Sequence, residues 1–214
     1  MKNLILRITL GFLLLTGCST DESFESMEEQ TTNSIYVLEQ NTDQSTFRTI
    51  DIDNLQSSPN NFDFIRTDNS IGHTSGLFIP TKNNATVLSW SAYKDESGTY
   101  GTAELQIATR TYSMHLMMEA ECIMIEDNEA VYGAIITQVV ELKGDAPLLS
   151  EMWRFYFKVK DINNGLDFDQ ISNKWIFASP RSQSFCSIYT PSHPIWSSEE
   201  YTNVMKPGFV KVSN

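Results

Sequence analysis

The chain has 214 residues, of which 41% are hydrophobic and 20% are charged, and its formal net charge is −12. This composition is typical of a globular protein with an acidic surface. Because binding to nucleic acid depends on clustered Lys and Arg side chains, the acidic balance argues against a nucleic-acid partner.

The chain begins with a charged segment, followed by an apolar run and then by small residues. Lys2 and Arg7 lie at the start of the apolar run, which continues to Leu15. This order is typical of a secretory signal, and the run is too short to cross a bilayer as a helix. We therefore predict that residues 1–17 are a signal peptide.

The predicted signal ends in Leu15-Thr16-Gly17-Cys18, which resembles the lipobox of bacterial lipoproteins. In that motif a small residue precedes the cysteine that receives diacylglycerol and becomes the new N-terminus. The resemblance implies lipidation of Cys18 and a cell-envelope location at the outer membrane, facing the periplasm or the cell surface. Each buried methylene of the acyl chains would contribute about 0.8 kcal/mol to membrane binding. A plain signal peptide with an incidental cysteine is the alternative.

Residues 18–33 are rich in Ser, Thr, Asp, Glu and Gln, and Phe24 and Met27 are almost their only apolar members. Such a segment cannot bury enough apolar surface to order itself. We interpret it as a flexible acidic tether, with a surface-display signal at Asp21-Glu22 as the alternative.

Strands are predicted at intervals of about ten residues through the rest of the chain, which is typical of a barrel or a sandwich. Polar turns are indicated at residues 41–44, 82–84, 95–98 and 127–129. Two strands flank the last of these turns. The other predicted strands cover residues 34–40, 46–52, 62–65, 76–80, 86–92, 103–107, 112–118, 153–159 and 209–212.

The strand at residues 153–159 has the clearest pattern. Trp153, Phe155, Phe157 and Val159 alternate with polar residues, which gives the two-residue period of a strand with one buried face. Tyr156 fits either side. Helical spacing would scatter the same apolar residues around a cylinder.

We therefore predict an all-β fold, a single antiparallel β-barrel or β-sandwich of roughly 8–11 strands with little helix. One helical turn is expected within residues 197–205, with Ser198 as its cap. No repeat or linker divides residues 34–214. We interpret them as one domain, in which residues 34–66 add a hairpin to a core of residues 75–214.

Several short motifs keep a fixed order in the second half of the chain. They cover residues 120–123, 127–130, 132–136, 157–159, 161–165, 169–172, 186 and 207–212. This order resembles a family of uncharacterised exported bacterial β-domain proteins, many of them lipoproteins. The sequence departs from the family pattern at Met117-Met118, where the family has His-Gly, and at Ala134, where it has Gly. The resemblance supports the β assignment and implies no particular activity.

Two cysteines are left once Cys18 is assigned to the lipid anchor. Cys122 and Cys186 form an even pair in a chain predicted to be exported. A disulfide between them would close a loop of about 65 residues and contribute roughly 4 kcal/mol in the chain-entropy model. The family resemblance supports this pairing. Two buried free cysteines are the alternative, because the sequence does not fix the distance between their Cβ atoms.

Asp161, Asn163, Asp167 and Asp169 offer oxygen ligands at alternating positions, which makes them a candidate calcium site. The EF-hand order is broken, because Gly165 occupies a ligand position and no Glu follows at the twelfth position. A polar hairpin loop is the alternative. No other cofactor is predicted.

The remaining candidate groups are histidines and aromatic residues. His73, His115 and His193 are too far apart in sequence for a local zinc site, and no nucleophile elbow or phosphate loop is present. Large aromatic side chains suggest either a ligand mouth or sugar platform or, alternatively, a core. These residues are Trp90, Tyr93, Trp153, Trp175, Trp196 and Tyr201.

Together these features predict a membrane-anchored extracytoplasmic lipoprotein with a binding or accessory role in the cell envelope. Its ligand would be a small molecule, a glycan or a protein. A structural lipoprotein that binds other proteins is one alternative. The other is a hydrolase that pairs His115 or His193 with a serine or a carboxylate in a cleft.

Overall fold

Alternation of apolar and polar side chains gives this chain its strands, as Arg154–Lys160 illustrates with Phe155, Phe157 and Val159 buried on one face. The computed structural model describes residues 34–40, 45–51, 71–79, 85–162, 169–182, 190–197, 201–203 and 210–213. All of them belong to one unit, Thr31–Asn214.

Twelve strands and one helical turn make up the regular structure of the described residues. They are β1 (Ser34–Gln40), β2 (Ser45–Asp51), β3 (Gly72–Phe78), β4 (Ala85–Asp95), β5 (Gly98–Ala108), β6 (Tyr112–Glu126), β7 (Glu129–Gly144), β8 (Arg154–Lys160), β9 (Gln170–Ser172), β10 (Lys174–Ala178), α1 (Pro194–Ser197), β11 (Tyr201–Asn203) and β12 (Val210–Ser213).

The strands form one antiparallel sheet with the order β12-β3-β4-β5-β6-β7-β8-β10-β1-β2, and β9 pairs with β8 and β11. The sheet curls into a half-barrel. The predicted all-β class is therefore confirmed, and the sheet has twelve strands where roughly 8–11 were expected.

Aromatic side chains fill the concave face of the sheet. Phe155 packs against Phe157, Trp175 and Phe177 with ring centroids 5.4, 5.9 and 4.8 Å apart. Trp90 reaches Phe157 at 5.1 Å, which links β4 to β8. Each fully buried ring contributes about 1.5–3 kcal/mol through the hydrophobic effect, so this cluster is a main source of stability.

A second, smaller core covers part of the convex face. It consists of Ile35, Val37, Met124, Val131, Tyr156, Ile176, Ala178 and Trp196. Trp196 comes from α1, so the segment at residues 190–197 lies over β6, β7, β8, β10 and β1 at this place. Tyr156, which the alternation did not assign to a face, belongs to this core. The strands beneath are therefore buried on both faces.

The helical turn differs from the expected position. It lies at Pro194–Ser197, and Tyr201–Asn203 is a strand that pairs with β9. The sequence 194–197 begins with Pro, which suits the first turn of a helix. The candidate strand at residues 62–65 lies outside the described residues, as do the predicted signal peptide, Cys18 and the tether. No helix in the described part has the length and apolar character required to span a membrane.

Candidate functional site

Two carboxylates of the predicted calcium loop bind backbone groups of the last strand. Val210 N–H donates to Asp169 Oδ2 at 2.9 Å, and Val212 N–H donates to Asp161 Oδ2 at 3.1 Å. Asp169 Oδ1 accepts a further bond from Ile162 N–H at 3.2 Å. Both aspartates are buried, and together they attach β12 to the loop that follows β8.

The other two predicted calcium ligands, Asn163 and Asp167, lie outside the described residues, so the calcium site stays a prediction. Within the described ranges, no group of three or more His, Cys, Asp and Glu side chains is arranged to hold a metal ion. The observed bonds of Asp161 and Asp169 give these two residues a structural role that the sequence pattern did not indicate.

The three histidines lie in three different places. His115 Nε2 is 2.9 Å from Glu104 Oε1 on the convex face, and Ser113 on the same strand donates its hydroxyl to Glu141 rather than to this histidine. His193 precedes α1, and burial lowers its pKa. The described structure thus gives His115 a carboxylate partner and does not join Ser113 to it.

Hydrogen bonds with Gln106 and then His115 lower the pKa of Glu104, so this carboxylate stays ionised at neutral pH. Glu104 and His115 have 38% and 29% of their side-chain surface exposed. A half-exposed pair of this kind contributes little to stability.

The predicted aromatic set divides between core and surface. Trp90, Trp175 and Trp196 are buried, so the core interpretation is confirmed for these three. Trp153 is half-buried and stacks on Tyr36 with centroids 5.3 Å apart. The side chain of Tyr201 is outside the described residues. Tyr93 differs from the rest, because 54% of its surface is exposed.

Tyr93 belongs to a row of rings that crosses three neighbouring strands. His73 on β3 is paired with Tyr93 on β4, which is paired with Tyr100 on β5. The His73 and Tyr93 rings meet edge to face with centroids 5.6 Å apart, and Tyr100 is 51% exposed. Directly paired residues on adjacent strands have Cβ atoms about 4.5–5.5 Å apart, so the three side chains are near neighbours.

A row of hydroxyl side chains runs beside the rings. Ser75, Ser91 and Thr102 are paired across the same three strands, and each lies two residues from the ring on its own strand. Residues two apart on a strand share a face, so both rows lie on the convex side. We name these six residues, His73, Tyr93, Tyr100, Ser75, Ser91 and Thr102, the ring–hydroxyl array.

The concave side beneath the array is tightly packed. Trp90 Nε1 donates to Thr74 Oγ1 at 3.2 Å, and Thr74 and Ala92 are buried between the two rows. Gly101 is paired with Ala92 and has a φ of 141°. The array therefore lies on a part of the sheet whose opposite, concave face is tightly packed. The sequence signal that could have found it is the alternation of Tyr93 with buried Ala92, which directs the ring away from the core.

Two cations on β8 join the segments at residues 179–182 and 190–197 to the convex face. Arg154 Nε lies 2.9 Å from Glu121 Oε1, and its Nη1 donates to the Pro180 and Ser182 carbonyls at 3.2 Å. Lys158, which is 5% exposed, lies 2.7 Å from Glu129 Oε2 and donates to the Pro191 carbonyl at 2.7 Å. The partly buried Arg154 and the buried Lys158 thus hold the segments at residues 179–182 and 190–197.

Cys122 lies on β6 beside the second core and is half-buried. Cys186 lies outside the described residues, so the predicted disulfide stays a prediction.

When compared with protein families, curated proteins and solved structures, the chain matches none.

Proposed function

We propose that this protein is a lipid-anchored, extracytoplasmic lipoprotein of the cell envelope and belongs to the exported bacterial β-domain proteins that its motifs resemble. The lipobox-like residues 15–18 and the acidic segment at residues 18–33 support the anchor and the tether. The β-domain would then be held near the membrane, free to bind an envelope component.

The ring–hydroxyl array is the binding site in this proposal, and the observation that carries it is the exposure of Tyr93 and Tyr100 side by side. An aromatic ring that is half exposed retains apolar surface that a ligand can cover. The contact between the His73 and Tyr93 rings limits the side-chain ordering that binding would require. The hydroxyl row beside them provides hydrogen bonds that would orient the ligand.

Lipidation is tested by replacing Cys18 with Ser in the full-length protein. We expect the native chain to incorporate labelled fatty acid and to fractionate with membranes, and C18S to lose both properties. Equal labelling of both proteins would contradict the anchor.

Ligand binding is tested by co-sedimentation of the detergent-solubilised full-length protein with cell envelopes from which lipids have been extracted. We expect Y93S/Y100S to lose most of the sedimented fraction. V140S removes exposed apolar surface from β7 and is the matched control, because Val140 is 48% exposed and lies outside the array. Equal losses in both variants would contradict a site at the array.

A disulfide between Cys122 and Cys186 is part of the proposal. The place of Cys122 beside the second core supports it, because residues on both sides of the segment that contains Cys186 pack against this face of the sheet. Mass spectrometry of the unreduced protein after proteolysis should identify one linked peptide pair. Alkylation of both thiols without reduction would exclude the bond.

A second candidate function is that of a lipoprotein that binds another protein, and the connection between β7 and β8 favours it. Leu148 is 85% exposed and Met152 is 60% exposed. Met152 N–H donates to Ile136 O at 2.8 Å, so the connection is held against β7. The connection contains the exposed acids Asp145 and Glu151 and no Lys or Arg, so a protein with an apolar pocket and a basic rim would fit it better than an anionic lipid surface.

This second candidate is tested by incorporating a photoreactive amino acid at position 148 in intact cells. We expect one protein adduct from position 148. The adduct should be absent when the same group is placed at Gln106, an exposed position on β5, and its yield should fall in D145K/E151K. Adducts with lipid alone, or none above the Gln106 control, would contradict it.

A further inference from the structure

We infer that the ring–hydroxyl array takes a neutral carbohydrate chain, and this inference rests on the proposed function of the array as a binding site. The six side chains combine three rings with three hydroxyls. Although 20% of the chain is charged, none of the six residues in the two rows is Asp, Glu, Lys or Arg.

The rings suit the flat faces of sugar units. One face of a pyranose ring presents C–H groups, which pack against the negative face of an aromatic ring in the same way as other polarised C–H groups. Tyr93 and Tyr100 are 54% and 51% exposed, so a flat ligand can cover both. His73 extends the row to β3 through its edge-to-face contact with Tyr93.

The hydroxyl row suits the rim of a sugar. Ser75, Ser91 and Thr102 each provide one O–H donor and two acceptor lone pairs, and a hydroxyl rotates to match its partner. Sugar hydroxyls also donate and accept, so the two sets complement each other in either direction. No charge has to be removed from water to form these bonds, which keeps the desolvation cost low.

The charges around the array argue against an anionic ligand. Asp95 and Glu96 lie exposed in the turn next to Tyr93 and Tyr100, and Glu119 continues the hydroxyl row beyond Thr102. These carboxylates repel an anionic chain. Lys211 lies beyond Ser75 at the other end of the row and balances Glu119, so neither sign dominates along it.

The geometry also indicates a chain rather than a single sugar. Adjacent strands are about 4.8 Å apart, so the row from His73 to Tyr100 spans about 10 Å at right angles to the strands. That length accommodates more than one sugar ring. A linear oligosaccharide lying across β3, β4 and β5 would place its faces on the rings and its hydroxyls beside the Ser and Thr side chains.

The inference is tested with the detergent-solubilised full-length protein on a panel of neutral oligosaccharides, uronic-acid oligosaccharides and choline. We expect binding to at least one neutral oligosaccharide, lowered about tenfold or more in Y93A/Y100A, which corresponds to the loss of a ring contact. Y93F/Y100F keeps the rings and is expected to retain most of the affinity. S91A/T102V removes hydroxyls without removing rings, and a several-fold loss is expected.

Two outcomes would overturn the inference: no binding to any neutral oligosaccharide, whether or not the acidic or cationic probes bind, or binding to neutral oligosaccharides that none of these variants changes. Failure of the inference and failure of the proposed function give different results. If every neutral oligosaccharide fails while Y93S/Y100S still loses co-sedimentation with envelopes, the carbohydrate is wrong and the binding site stands. If co-sedimentation is also unchanged, both are wrong.

Discussion

Single residues decide how closely the strands under the array approach each other. Gly101 has a φ of 141°, and a Cβ atom there would lie 1.9 Å from the Ser91 carbonyl oxygen. Only glycine combines this backbone conformation with this approach. Because Gly101 lies between Tyr100 and Thr102, it sets the spacing between β4 and β5 for both rows.

We predict that Gly101→Ala lowers the free energy of unfolding by about 2–4 kcal/mol, because it adds a steric conflict to backbone strain. Gly98→Ala is the control. Gly98 has a φ of 142°, but its nearest neighbour at the Cβ position is Tyr100 Oη at 3.9 Å, so we expect a cost of only about 1 kcal/mol. Urea denaturation measures both. Equal losses would show that the contact with Ser91 contributes nothing.

Most of the correct predictions came from the alternation of apolar and polar residues along single strands. The faces of Phe155, Phe157 and Val159 were predicted correctly, because their period depends only on neighbours in the chain. The roles of Asp161 and Asp169 were not predicted. Their partners in β12 are 51 and 41 residues away in sequence, so no local pattern records the contact.

At the scale of elements, the buried Lys158 holds the segment at residues 190–197 on the convex face. Lys158 links Glu129 on β7 to the Pro191 carbonyl, and Lys160 Nζ lies 3.0 Å from the other oxygen of Glu129. Burial disfavours the charged form of Glu129, but hydrogen bonds from Lys158 and Lys160 outweigh it and lower its pKa. The ionised carboxylate therefore stabilises the folded state.

We predict that Glu129→Gln costs about 1–3 kcal/mol at neutral pH, because the bonds to both lysines weaken. A lowered pKa means that Glu129 stabilises the fold above its ordinary value of 4.5 and loses this contribution as the pH falls below that value. The difference in stability between the native protein and E129Q should therefore shrink below pH 4.5.

Glu141→Gln is the control for this pH series. The pKa of Glu141 is lowered by hydrogen bonds with Lys143 and then Ser113 at the protein surface, where exposed pairs contribute little. We expect E141Q to change the unfolding midpoint much less than E129Q at every pH. A pH-independent difference between E129Q and the native protein would exclude the role assigned to the carboxylate.

The elements themselves were largely predictable, whereas the second core was not. The turn at Asp127-Asn128 has a strand on each side, as predicted, but the strand before it is continuous with the one predicted at residues 112–118. The helical turn was expected after Ser197 and lies at Pro194–Ser197. A four-residue turn has too few positions to show a helical period, and its place depends on the packing of Trp196 against the sheet.

In the whole molecule, β12 is joined to the rest of the fold on two sides. Its residues pair with β3, and its N–H groups at Val210 and Val212 bind the two aspartates that follow β8. An edge strand normally leaves a row of N–H groups unpaired, which invites aggregation. The buried carboxylates occupy these donors instead.

We predict that Asp169→Asn destabilises the protein by about 1–3 kcal/mol, because an amide nitrogen replaces one of two acceptor oxygens that receive backbone N–H groups. Hydrogen exchange at the Val210 amide should accelerate more than exchange in β5. Asp127→Asn is the control, since Asp127 is exposed at a φ of 53°, which Asn tolerates. Equal effects of both substitutions would contradict the role of Asp169.

The sequence patterns did not predict the order of the strands in the sheet. Alternation identifies each strand locally, but the position of β1 between β10 and β2 depends on how the aromatic residues of the concave face pack together. Trp90 and Tyr93 are three residues apart on β4, so alternation alone places their side chains on opposite faces of the sheet. Which of these two faces is buried depends on the direction in which the sheet curls.

The pairing order also predicts which contacts form late in folding. Strands β3 to β8 pair with their neighbours in the chain, whereas Ile35 meets Ala178 and Val210 meets Gly76. Contacts so distant in the chain form slowly, because a long loop must close before they are gained. The half-barrel cannot be completed until β12 has left the ribosome. If the chain is exported as proposed, this delay would keep it competent for transport through a translocation channel.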